Sequence, residues 1–73
     1  MLINKKILTK ICQTDDIYYS TFNHNFVAKL TPDIVEDTDK HIRIIQRLEK
    51  LGTSSIEEFF DQTTGLVNLV FAF

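Results

Sequence analysis

The segment 39–51, DKHIRIIQRLEKL, has the clearest pattern of apolar and polar positions in the chain. At about 100° per residue, one side of a helix would carry the apolar residues Ile44, Ile45, Leu48 and Leu51. A separate side would carry four basic residues, Lys40, Arg43, Arg47 and Lys50. The pattern predicts an amphipathic helix whose basic side is the best candidate for contact with a partner.

Helical spacing also describes the two segments that come first in the chain. In 2–12, Ile3, Ile7, Leu8, Ile11 and Cys12 recur at helical intervals with lysines between them, although the β-branched residues leave a strand open. In 15–30, the large apolar residues fall on one half of a helical wheel, which favours a helix. The β-type composition of 17–22, followed by an Asn-His-Asn turn sequence, leaves a hairpin at 17–30 as the alternative.

Thr31-Pro32 marks the start of the next helix, because proline fits the first helical turn. A single helix from 32 to 51 would point Asp37 into the apolar side. We therefore predict a break near 37–39, with Thr38 or Asp39 capping the basic helix and Gly52 ending it.

The last part of the chain combines a capping signal with an apolar tail. Ser54 with Glu57, or Ser55 with Glu58, fits a capping box, so a short helix is predicted over 54–62. The apolar composition of the tail 66–73 predicts a buried strand or a final helical turn or two. We expect it to close the core or an oligomer interface through Leu66, Leu69, Val70, Phe71 and Phe73.

These elements predict a mainly α fold in a single small domain, 1–73. It would be a bundle of short helices near 2–12, 15–30, 32–51 and 54–62. The alternative is an α+β fold in which a hairpin at 17–30 pairs with a strand at 66–73.

Composition excludes several classes of function. The chain has 73 residues, a net charge of -2 and a single cysteine, Cys12, so an intramolecular disulfide is excluded. Cys12, His24 and His41 are too few for a usual zinc site, and two glycines form no phosphate-binding loop. We expect no catalytic site, cofactor or metal. No apolar stretch is long enough for a membrane span, and no export signal is evident, which indicates the cytoplasm.

The region around 51–54 has the outline of a helix-turn-helix. The stretch IIQRLEKLGTSSIEEFF resembles the helix pair that follows the winged helix in MerR-type regulators, and the resemblance implies DNA binding. It covers only 44–60, and the DNA-reading part of that family has no counterpart in the chain. The second helix would carry the acidic residues Glu57, Glu58 and Asp61 but no lysine or arginine, whereas recognition helices need side chains that donate hydrogen bonds to DNA.

The leading hypothesis is therefore a small non-enzymatic interaction protein, a regulator, inhibitor or subunit. Its core is marginal for a chain of this length, which favours burial against a larger partner or a second copy. The basic residues Lys40, Arg43, Arg47 and Lys50 would bind an acidic protein surface. The alternative is a helix-turn-helix-like regulator that uses the same residues on nucleic acid.

Overall fold

The computed structural model describes residues 4–73, which form three helices and a four-stranded antiparallel sheet. The elements in chain order are α1 (Lys5–Cys12), β1 (Ile17–Ser20), β2 (Asn25–Leu30), α2 (Pro32–Glu36), α3 (Thr38–Leu51), β3 (Ser55–Asp61) and β4 (Leu66–Ala72). The strand order is β1-β2-β4-β3. The prediction of a mainly α bundle is therefore wrong, and the fold is α+β.

Two predicted helices are strands. The segment 15–30 forms the β1–β2 hairpin, in which Tyr19 lies opposite Phe26, and His24 takes the left-handed conformation that the turn requires. The predicted helix at 54–62 is β3, which pairs along its length with β4. Aromatic and β-branched side chains pack well on a pleated surface, and this packing overrides a helical spacing that the sequence also satisfies.

The tail is the second central strand of the sheet. β4 pairs with β2 on one side and β3 on the other, so that Phe71 lies opposite both Phe26 and Ile56. Gly65, at φ 72°, supplies the left-handed residue of the turn that leads into β4. The tail therefore belongs to the core of the fold, as the α+β alternative predicted.

The helical predictions outside these strands are confirmed for the described residues. α1 begins after Asn4, whose side chain accepts a hydrogen bond from the backbone N–H of Ile7 at 3.0 Å; residues 2 and 3 of the predicted helix lie outside the described residues. The break between α2 and α3 falls at Asp37. Asp37, and not Thr38 or Asp39, caps α3.

The helices cover one face of the sheet. The core joins buried side chains of the helices to those of one face of β1, β2 and β4: Leu8, Cys12, Ile17, Ala28, Leu30, Ile34, Ile44, Leu48, Leu69 and Phe71. Alternate strand residues point to the other face, which we call the open face. The fold is thus a helical layer on a sheet, and each layer leaves one side for solvent or a partner.

Candidate protein-interaction surfaces

The first candidate surface lies on α3 and consists of Lys40, Arg43, Arg47 and Lys50; we call it the basic surface. Asp37 begins the helix by accepting a hydrogen bond from the Lys40 backbone N–H at 3.2 Å. Gly52, at φ 100°, ends it in the left-handed conformation. Ile44 and Leu48 are buried beneath α3, whereas all four basic residues are exposed. The predicted division of this helix into two sides is confirmed.

No residue of the basic surface forms a close ion pair with a carboxylate of the described chain. Within residues 4–73, the only side-chain ion pair closer than 4.0 Å joins His41 Nε2 to Glu58 Oε1 at 2.9 Å. A hydrogen bond from the Thr31 side chain lowers the pKa of Asp33, and the more distant charge of Lys40 lowers it further. The guanidinium groups of Arg43 and Arg47 therefore keep their donors free for a partner.

The α1 helix adds positive charge to the same layer. Lys5, Lys6 and Lys10 are exposed on α1, and α1 packs against α3. Every basic residue of the chain except Lys29 lies on one of these two helices. The sequence did not predict this grouping, because β1, β2 and α2 separate the two helices along the chain, and only the fold brings α1 and α3 together.

The five apolar tail residues expected at an interface do not form one surface. Leu69 and Phe71 are fully buried in the core, where Phe71 stacks on Phe26 with ring centroids 5.7 Å apart. Leu66 and Val70 are partly buried on the open face. Phe73 is 42% exposed and meets the Phe71 ring edge-on. Only Leu66, Val70 and Phe73 remain available to a partner.

The second candidate surface is the open face of the sheet. The cross-strand register places Tyr18, Val27, Val70 and Glu57 in one row and Lys29, Asn68 and Phe59 in the next. Val27 is buried by its strand neighbours but stands apart from the core under the helices. The side-chain oxygen of Asn68 is buried without a hydrogen-bond partner. This face mixes apolar and polar groups, as partner-binding surfaces commonly do.

The third candidate surface is the outer edge of β3, which sequence reasoning missed because it treated this segment as a helix. Phe59 and Phe60 are 52% and 65% exposed, and they point to opposite faces of the sheet. Glu57 and Glu58 precede them. The sequence signal was the pair of adjacent phenylalanines. One side of a helix can bury both rings, whereas a strand points them to opposite faces and so leaves at least one of them exposed when only one face is covered.

The groups considered for chemistry are dispersed. Cys12 is fully buried, and burial raises the pKa of its thiol to about 12, so it is held as an unreactive thiol. His24 lies in the exposed β1–β2 turn, whereas His41 contacts Glu58. Within residues 4–73, no group of three or more His, Cys, Asp and Glu side chains could hold a metal ion.

The described chain thus defines a class, a small α+β protein with a helical layer on one face of an antiparallel sheet. No protein-family model matches the chain, and comparisons with curated proteins and with solved structures found no match. None of the helices described here has the length and apolar character needed to cross a membrane.

Proposed function

We propose that this protein is a small non-enzymatic interaction protein that binds an acidic surface of a larger protein through its basic surface. The observation that carries the proposal is the exposure of Lys40, Arg43, Arg47 and Lys50 on one helix, where none of them forms an ion pair within 4.0 Å among the described residues. Arginines one helical turn apart can each form a bidentate pair with a carboxylate. The net charge of -2 disfavours general binding to nucleic acid and leaves a local, directional contact.

The rigidity of α3 supports this proposal. Its ends are fixed by Asp37 and Gly52, and its inner side is anchored by Ile44 and Leu48. A partner therefore does not have to order the helix when it binds, which lowers the entropic cost of association.

The nucleic-acid alternative loses its helix-turn-helix geometry, because the segment after Gly52 forms β3 and supplies no recognition helix. What remains of that alternative is phosphate binding by the basic surface. Such binding would fall steeply with salt and would disappear after nuclease treatment, so one experiment can separate the two functions.

The experiment is a pull-down from native cell extract, before and after nuclease treatment, with proteins identified by mass spectrometry. The test variant is Arg43→Glu with Arg47→Glu, and the matched control is Lys6→Glu with Lys10→Glu, which changes the net charge equally on α1. We expect a nuclease-resistant protein that wild type and the α1 control retain and that the α3 variant loses by about tenfold or more. Circular dichroism confirms that each variant is folded.

Three outcomes contradict the proposal. Retention of the same protein by the α3 variant would show that the basic surface is not the contact. Equal loss from both variants would show a response to net charge alone. Loss of all captured material after nuclease treatment would assign the surface to nucleic acid.

The proposal also includes self-association through the open face and places the protein in the cytoplasm, where reducing conditions keep a lone cysteine free. Tyr18 and Phe59 are about half exposed on that face, beside the partly buried Val70. Light scattering tests the homodimer: wild type should have twice the monomer mass, and Phe59→Lys should be monomeric. A monomeric wild type at high protein concentration would remove this part of the proposal.

A further inference from the structure

The β3 strand is an open edge of the sheet. Of the described residues, β3 pairs only with β4, so its other side has no strand partner. Alternate residues of an edge strand direct backbone N–H and C=O groups outward, where another extended chain can pair with them. All seven residues Ser55–Asp61 are in register with β4, which holds the whole edge extended.

The opposite edge of the sheet is a weaker template. β1 has four residues, and its neighbour in the helical layer is α1. β3 is longer, with seven residues. From Ile56 onward its side chains are, in order, one apolar residue, two acidic residues, two apolar residues and one acidic residue, which are Ile56, Glu57, Glu58, Phe59, Phe60 and Asp61. These side chains define what an added strand would have to supply.

A second copy of β3 does not meet that requirement. Two copies related by a two-fold axis pair antiparallel, and residues on the same face lie opposite one another. Every such register that overlaps more than half of the strand sets a carboxylate against a carboxylate. The closest fit sets Glu58 against itself, and the neighbouring registers set Glu57 against itself or against Asp61. Like charges directly opposite are destabilising, so these acids protect the edge from self-pairing.

We propose that β3 accepts an extended basic and apolar segment of a partner protein as a fifth strand. In the antiparallel orientation, the segment would read basic, apolar, apolar, basic, basic, apolar from its amino end. These positions would lie opposite Asp61, Phe60, Phe59, Glu58, Glu57 and Ile56, in that order. Backbone hydrogen bonds would supply the general affinity, and the charge order would set the register.

Both faces of the added strand would find partners. Phe59 lies on the open face and Phe60 on the helix-covered face, so apolar residues of the segment would cover both rings. Glu58 already contacts His41 at 2.9 Å, which fixes its position beside α3, whereas no contact restrains the Glu57 side chain among the described residues. Glu57 is therefore the acid whose neutralisation isolates the new contact without loosening α3.

The test uses the full chain, isotopically labelled, and a capped peptide with the core Lys-Val-Val-Lys-Lys-Val. Two control peptides carry Glu in place of Lys, or the same residues in the block order Lys-Lys-Lys-Val-Val-Val. Nuclear magnetic resonance titration should show binding of the first peptide only, with slowed hydrogen exchange at alternate β3 amides. Glu57→Gln should weaken binding about two- to fivefold. Asp15→Asn, an equal charge change in the α1–β1 loop, should leave it unchanged.

Several results would overturn the proposal. Equal binding of the acidic or block peptide would remove the charge order as its basis. Shifts confined to the open face, or to the basic surface on α3, would place the peptide elsewhere. If Glu57→Gln and Asp15→Asn weaken peptide binding equally, the loss reflects the net charge of the protein and not a contact of Glu57. Because the pull-down described above tests α3 and this titration tests β3, either proposal can fail while the other stands.

Discussion

The two faces of the sheet use alternate residues of the same strands, but they have different surroundings. On the covered face, Leu69 and Phe71 are fully buried under the helices. On the open face, the adjacent Val70 is only partly buried, and Phe59 is half exposed. A shift of one position along β4 therefore separates a residue that stabilises the fold from one that can serve a contact. Substitutions in matched pairs can measure that separation.

The largest difference should come from the same substitution on each face. Leu69→Ala should lower the free energy of unfolding by about 2–5 kcal/mol, since it removes a fully buried side chain and leaves a cavity. Leu66→Ala, on the partly exposed open face, should cost about 1 kcal/mol or less. Urea denaturation followed by circular dichroism measures both. Similar costs would show that the open face is packed as tightly as the covered one.

Cys12 allows the covered face to be tested by pH. Because burial raises the pKa of its thiol to about 12, the folded protein keeps the proton that the unfolded chain releases near pH 8.5 to 9. The stability it contributes is present at neutral pH and should fall by about 1.4 kcal/mol per pH unit above that range. Urea denaturation of wild type and of Cys12→Ala from pH 8 to 10.5 measures this slope as the change in the difference between their free energies of unfolding. A difference that does not change with pH would contradict the burial of the thiol.

Asn68 probes the cost of a polar group on the open face. Its side-chain oxygen is buried between neighbouring strands without a hydrogen-bond partner, and an unsatisfied acceptor is costly. Asn68→Val should therefore stabilise the protein by up to about 1 kcal/mol, with a contribution from the higher β propensity of valine. Thermal unfolding measures the change. A destabilised variant would show that the amide has a partner in solution.

The smallest expected effect concerns Asp61, at the end of β3. The Thr63 backbone N–H donates to its carboxylate at 2.9 Å and lowers its pKa, and the Thr64 N–H adds to this. A lowered pKa stabilises the folded state above the ordinary aspartate range, and that stability is lost as the pH falls through the folded value. Asp61→Asn should thus be less stable than wild type at pH 6, and the difference in stability should narrow as the pH falls below the ordinary aspartate range. A gap independent of pH would contradict this role.

The part of the fold that could be predicted from sequence is the part fixed by local signals. The apolar side of α3, the glycine at its end and the conflict at Asp37 all lie within a few residues of one another. They specify a helix and its limits without reference to the rest of the chain. The exposure of Arg43 and Arg47 follows from the same period, so the basic surface was predictable as well.

The parts that could not be predicted depend on pairing between distant residues. Phe26 lies opposite Tyr19 and Phe71, and its ring centroid is 4.9 Å from that of Tyr19. Such pairing decides between strand and helix for 17–30, where a single segment fits both periods. β3 has two acids followed by two phenylalanines, so it shows no alternation. Pairing with β4 makes this segment a strand. Because the sequence pattern does not indicate that pairing, the open edge of β3 could not be predicted either.

The position of β4 has a consequence for biosynthesis. It follows every other described element in the chain, but it lies between β2 and β3 in the sheet. While the ribosome is still adding residues 66–72, β2 and β3 have no strand to join them, and the apolar side of α3 has no Leu69 or Phe71 to pack on. The nascent chain therefore exposes its helices and hairpin to chaperones until β4 emerges, and the sheet can be completed only then.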